Sequence, residues 1–262
     1  MGWRGYIHPP AKTVFFWSQK AACTSLFHFL ADNIDVPPQS KRYFHLSSQP
    51  CKPCMEAIRD LQYRSVILAR HPVARSVSAY LNKFCVYDGI GLATRDDLEP
   101  FAQKLHDLYC IERGIKTQRN IMTFVQFLDT AAVLHAMDRK PGKPVNGHWE
   151  TQVPTVFLDQ GLRYDDVIHV EALEAELGAL AEDLGMRYRP RQMNRTGMER
   201  GRHSGSLIDI PACDIHEYDF DFDNFVTPLT QRRIQTIYAV DFEVFGYPPR
   251  PASQVMAGES QR

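Results

Sequence analysis

Short apolar runs alternate along the first third of the chain with segments whose apolar positions recur at helical spacing. Residues 13–17 read as a buried strand and 24–31 as the helix after it. A second strand is expected over 43–46, and over 51–61 a helix with Pro53 in its first turn. Residues 65–69 form a third predicted strand, followed by a helix over 72–84 that Pro72 opens. Further on, 98–113 and 121–138 read as amphipathic helices and 167–170 as a strand. Residues 171–184 then read as a helix that Gly185 stops, and 228–244 as the last helix. Pro141, Gly142, Pro144 and Gly147 mark 139–154 as a surface loop. No internal repeat interrupts this order.

Such alternation predicts an α/β fold, a central parallel sheet flanked by helices, in which ligands collect beyond the carboxyl ends of the strands. Lys20, His45 and Arg70 all fall at such ends. The length of 262 residues suffices for an ample core, and a single domain over 1–247 with a disordered tail over 248–262 is the expectation.

A formal net charge of −1 argues against a general nucleic-acid binder, which needs a broad basic surface. Locally the balance differs: Arg187, Arg189, Arg191, Arg195, Arg200 and Arg202 stand against Glu199 alone. No stretch approaches the ~18 apolar residues of a membrane helix, and the N-terminus lacks a signal-peptide core, so a soluble, cytoplasmic protein without membrane insertion is expected. The Met1-Gly2 start fails as a myristoylation signal because Tyr6 stands where Ser or Thr is needed. Six cysteines in a chain of this size do not make a disulfide scaffold. Cys51 and Cys54 alone have metal or redox spacing, and no second pair completes a zinc site. They read as structural thiols, with a redox pair or a metal site as alternatives; no metal is expected.

Two segments carry the chemistry. In Trp17-Ser18-Gln19-Lys20-Ala21-Ala22-Cys23-Thr24-Ser25 a lysine, two small residues and two hydroxyls stand where a strand gives way to a helix. There the first-turn amides and the helix dipole favour an anion. In Ala69-Arg70-His71-Pro72-Val73-Ala74-Arg75-Ser76-Val77-Ser78 an arginine ends a strand and a serine lies on the next helix. Arginine grips a phosphate through two parallel donors, which lysine cannot.

In this order the two segments resemble the sulfotransferases that use 3′-phosphoadenosine 5′-phosphosulfate (PAPS). The wording Lys-Ala-Ala-Cys-Thr-Ser and Ser78-Ala-Tyr-Leu-Asn-Lys-Phe84 is most similar to the carbohydrate branch, with weaker echoes at His148-Trp149, 164–173 and 241–247. Two residues depart from the family pattern: Gln19 stands where proline is usual and Cys23 where many relatives have threonine. Neither removes the charge or the hydroxyls.

The resemblance implies a P-loop-like three-layer sandwich and PAPS as co-substrate. It implies that Lys20, Ala22, Cys23, Thr24 and Ser25 hold the 5′-phosphosulfate, that Arg70 and Ser78 hold the 3′-phosphate, and that Arg195 closes over the donor. The acceptor would be a hydroxyl-bearing small molecule or a glycan, and Golgi members of the branch carry an anchor, which points to a bacterial or otherwise cytosolic source. In-line sulfuryl transfer needs a cation at the bridging oxygen, for which Lys20 is the candidate, and a base for the hydroxyl. His45 matches the His-Leu position of the cytosolic members; His148 competes, and either is also readable as a packing histidine.

Other readings stay open. Asp219-Phe-Asp-Phe-Asp223 has the Asp-x-Asp spacing of metal-dependent glycosyltransferases, and equally the alternation of a half-buried strand with Phe220 and Phe222 inward. A P-loop-type nucleotide kinase is disfavoured because Gly-x4-Gly-Lys-Ser/Thr is absent. A nucleotide-binding protein without turnover remains the non-enzymatic alternative. Oligomeric state is not readable.

Overall fold

The computed structural model describes residues 4–35, 40–137, 145–191, 203, 205–215 and 221–248. In chain order the elements are β1 (Arg4–His8), β2 (Thr13–Trp17), α1 (Cys23–Ala31), α2 (Lys41–Ser47), β3 (Gln49–Pro50), α3 (Cys51–Asp60) and β4 (Arg64–Ala69). Next come α4 (Pro72–Tyr80), β5 (Val86–Tyr87), β6 (Ile90–Gly91), α5 (Pro100–Arg113) and α6 (Phe124–Met137). The chain continues through α7 (Thr155–Asp159), β7 (Asp166–His169), α8 (Leu173–Asp183), α9 (Pro228–Ile237) and α10 (Ala239–Val244). They sort into two compact units, Met1–His71 with Thr151–Asn194, and Pro72–Glu150 with Arg195–Arg262.

The first unit is α/β, but its sheet is mixed rather than parallel. The strand order is β3-β1-β2-β4-β7. β2, β4 and β7 run parallel, in the register Phe15 to Val66 and Ile67 to Val167, whereas β1 lies antiparallel to both β2 and β3. The expectation passed over β1 because its hairpin lacks Asn-Gly; the turn Pro9 to Lys12 closes instead with Lys12 at φ 46°. Every residue of β2 is buried, so the strand is covered on both faces. Phe15 and Trp17 pack with Leu26, Phe29 and Leu30 of α1, Phe44 of α2 and Leu177 of α8. Phe16 points the other way, onto Phe157 of α7 and Tyr164. On that face α3 comes close enough that a Cβ on Gly5 would meet Cys54 Sγ at 3.0 Å.

Residues 43–46, expected as a strand, lie instead within the helix α2. A four-residue segment is too short to distinguish the two by period. The place beside β1 is taken by Gln49–Pro50, and Phe44 packs between Trp17 and Tyr6 at 5.1 and 5.4 Å.

The second unit is helical around a core that includes Tyr80, Phe84, Phe124, Phe127, Trp149 and Tyr238. Helix α4 runs to Tyr80 and then widens into a π-turn over Leu81–Cys85. The expected helix over 228–244 breaks at Tyr238, whose backbone (φ −112°, ψ 29°) leaves the helical region. The described part of 139–154 is no surface loop, since Trp149, Gln152 and Val153 are buried. Of the Asp/Phe alternation, 219–220 lie outside the described residues. Asp221 caps a 3-10 turn over Phe222–Phe225 instead of entering a strand.

His106 on α5 is fully buried beside Cys110, and burial holds its ring below the ordinary histidine value, against weaker opposing effects of the Arg119 backbone and Asp107. The unfolded chain therefore takes up a proton near pH 6.5 that the folded state resists, so stability falls as pH drops below about 6.5. Urea midpoints at pH 7.0 and 5.5 should show this loss in the wild type and a smaller one in His106→Leu.

Candidate functional site

The segment leaving β2 is strained where the sequence placed its first anion cradle. Lys20 and Ala22 both have positive φ, 68° and 51°, although neither is glycine. For residues with a Cβ this region costs about 1–2 kcal/mol each, and such strain concentrates at binding loops. Ala22 is the N-cap of α1 and offers no side-chain cap, so Thr24 and Ser25 fall in the first helical turn with their hydroxyls half-buried. Alternating backbone hands at a helix start make a concave set of N–H groups that suits an anion.

Arg70 follows the last residue of β4, and its Nη1 donates to Lys20 O at 3.4 Å. Sequence reasoning missed Gln152, the residue that joins these two segments. Its buried amide accepts from Ser18 Oγ (3.1 Å) and Arg70 N (2.9 Å) and donates to Arg70 O (2.8 Å). Its position in a Pro- and Gly-rich stretch gave no periodicity to mark it as buried. Glu171 secures the next amide, accepting from His71 N at 2.7 Å.

His45 sits on α2, not on a strand, yet it still reaches the carboxyl end of β2. Its half-buried ring lies tilted by 52° against Trp17, the last residue of that strand, with centroids 5.6 Å apart. Lys20, Ala22, Cys23, Thr24, Ser25, His45 and Arg70 thus share the first unit. Cys51 and Cys54 open α3, and burial pushes the Cys54 thiol up to about 12 and raises that of Cys51 too. Both shifts favour the protonated thiol.

Ser78 and His148 belong to the second unit. Ser78 is the one residue of α4 that is not buried. His148 stands on a carefully held segment. Asn146 Oδ1 accepts the His148 N–H at 3.0 Å and faces its Nδ1 at 2.7 Å. An oxygen that accepts the amide proton also accepts from the ring, so Nδ1 carries the hydrogen and the lone pair of the neutral imidazole is on Nε2. Phe101 stacks flat on the ring, with centroids 4.8 Å apart.

The backbone around His148 is gripped by side chains. Arg75, buried in α4, donates to Gly147 O and Glu150 O, both at 2.7 Å, and lies over the Tyr238 ring. Trp149 O accepts from His135 Nε2 (2.7 Å) and Tyr238 OH (3.0 Å). Burial pushes the Tyr238 hydroxyl up to about 12, so it remains a donor. Arg195 lies outside the described residues, as do Arg200, Arg202 and the tail beyond 248. Among the described residues no helix is long and apolar enough to cross a membrane.

The first unit is thus an α/β body in which a strained, lysine-bearing strand-loop-helix is tied to an arginine at the end of the neighbouring parallel strand. The model of the sulfotransferase family matches residues 9–248, and the chain belongs to that family. Sulfotransferases move a sulfuryl group to an acceptor, and the chain is accordingly a transferase. Comparison with curated proteins and with solved structures found no match.

Proposed function

We propose that this sulfotransferase takes its sulfuryl group from PAPS and delivers it to an acceptor hydroxyl, in a carbohydrate, by in-line displacement, releasing adenosine 3′,5′-bisphosphate. The observation that carries the reading is the loop 18–22. Two strained L-residues, Lys20 and Ala22, lead into an uncapped helix start, and Arg70 reaches back to the same loop. That arrangement suits a ligand with two anionic groups, and helices on both faces of the first unit's sheet agree with a P-loop-like sandwich. Bound there, the donor would supply an activated sulfuryl group.

The chain's residues then have distinct tasks. The amides of Ala22 to Ser25 and the hydroxyls of Thr24 and Ser25 hold the 5′ anion. Lys20 sets a positive charge at the phosphate oxygen that departs. Arg70 binds the 3′-phosphate through its guanidinium, and Ser78 keeps the role that the family resemblance implies for it. Two histidines meet the needs of a base. His45 is favoured by its contact with Trp17 at the end of β2, and His148 by a tautomer that leaves Nε2 as the acceptor.

Calorimetric titration with adenosine 3′,5′-bisphosphate, AMP and ADP tests the donor site without any acceptor. The bisphosphate should bind at least tenfold more tightly than AMP, since one charge-assisted bond contributes about 1.5–3 kcal/mol. Arg70→Ala should remove that preference. Equal binding of the three nucleotides would return the loop to the nucleotide kinases.

A further inference from the structure

Gln152 lies far from both anion-binding segments in sequence and between them in space. Its side chain is fully buried. The backbone fixes which way the amide faces. Arg70 N–H can only donate, so the atom opposite it is Oε1; Arg70 C=O can only accept, so the other is Nε2. Gln152 thereby extends the edge of β4 by one ladder-like pair, immediately beyond Ala69, and holds the backbone from which the Arg70 side chain departs. The same Oε1 accepts from Ser18 Oγ at the first position after β2. Arg70 Nη1 adds a third connection, to Lys20 O.

The ends of two neighbouring parallel strands, each carrying one of the anion-binding groups, are thus joined through a single buried amide. Ordering one of them by a ligand restrains the other. The loop 18–22 is the strained partner and has most to gain from such restraint.

We propose that Gln152 is a positioning residue that couples the two phosphate subsites, so that a ligand's 5′ and 3′ anions reinforce each other's binding. The proposal rests on the donor site described above. Gln152 touches no reacting atom; it acts through Ser18 and Arg70.

The test is a titration of the full-length protein with adenosine, AMP, 3′-AMP and adenosine 3′,5′-bisphosphate. Coupling is the factor by which the 3′-phosphate improves binding of AMP, divided by the factor by which it improves binding of adenosine. In the wild type this ratio should be about tenfold. Gln152→Ala and Gln152→Glu should both bring it close to one. The glutamate keeps the side-chain length and the acceptor for Ser18 and Arg70 N, and loses the donor to Arg70 O. Ser18→Ala removes only the link to the first loop and should also lower the ratio, while the bare preference for the 3′-phosphate persists.

Thermal melts accompany each titration, and Ser18→Ala, which deletes one hydroxyl, carries the test if the Gln152 variants do not fold. A ratio that stays near tenfold in folded variants overturns the coupling role. Equal weakening of all four ligands, with the ratio kept, also overturns it, because it would mark Gln152 as general support. A wild-type protein that does not distinguish the bisphosphate from AMP overturns the donor reading itself. A wild-type preference with a ratio of one overturns only the coupling.

Discussion

Lys20→Ala should lower the turnover of PAPS with a competent acceptor by about a hundred- to a thousandfold, the range seen when one preorganised donor at a developing charge is removed. Binding of adenosine 3′,5′-bisphosphate should change far less. In the proposed site the loop's amides and Arg70 would hold the ground-state anions, whereas the ammonium would matter most as charge accumulates on the departing oxygen. The substitution is clean in backbone terms. Lys20 already sits at φ 68° with a Cβ in place, and alanine at the same position keeps the strain as it is. Release of bisphosphate under single turnover, set beside calorimetric affinity, separates the two effects. A loss of affinity as large as the loss of rate would make Lys20 a binding residue only.

Arg75→Met should be the most destabilising of these substitutions, by about 3 kcal/mol, because it removes two hydrogen bonds from a charged donor to part-buried backbone carbonyls, each worth about 1.5–3 kcal/mol. Arg75 is 1 % exposed, and its two nitrogens span Gly147 O and Glu150 O, a separation that one ammonium cannot bridge. Arg75→Lys should therefore recover only part of the loss. Urea unfolding monitored by tryptophan fluorescence gives the free energies, with Trp149 in the affected segment as a local reporter. A shift below about 0.5 kcal/mol would place Arg75 among ordinary surface substitutions and remove its hold on the His148 segment.

The elements that the sequence placed well share one property: their periods are long or their boundaries are chemically marked. β2 ends in four consecutive apolar residues, α4 begins at Pro72, and α8 ends before Gly185 in a left-handed turn with φ 64°. The misplaced segment over 43–46 had neither mark. Phe44 there satisfies a strand or a helix equally until Trp17 and Tyr6 supply its partners. Strand direction was likewise beyond reach for β1, since an antiparallel neighbour and a parallel one require the same apolar residues and differ only in how the connection turns.

The candidate site divides in the same way. Lys20, Thr24, Ser25, Arg70 and Ser78 stood out as candidates because charge and hydroxyl spacing around a strand-helix junction is local information. The sequence by itself pointed to the α/β class of the first unit, to two candidate anion-binding segments and to the resemblance that named the family. Tertiary structure alone decided that the sheet is mixed, that Lys20 and Ala22 take left-handed backbone, and that Asn146 sets the tautomer of His148. It also decided that Gln152 and Arg75 meet backbone carbonyls and an amide far away in sequence. Every residue carries those backbone groups, so no pattern of residue types announces which of them will be met. Only the folded path of the chain, set by where the apolar faces close, brings a particular amide to a particular carbonyl.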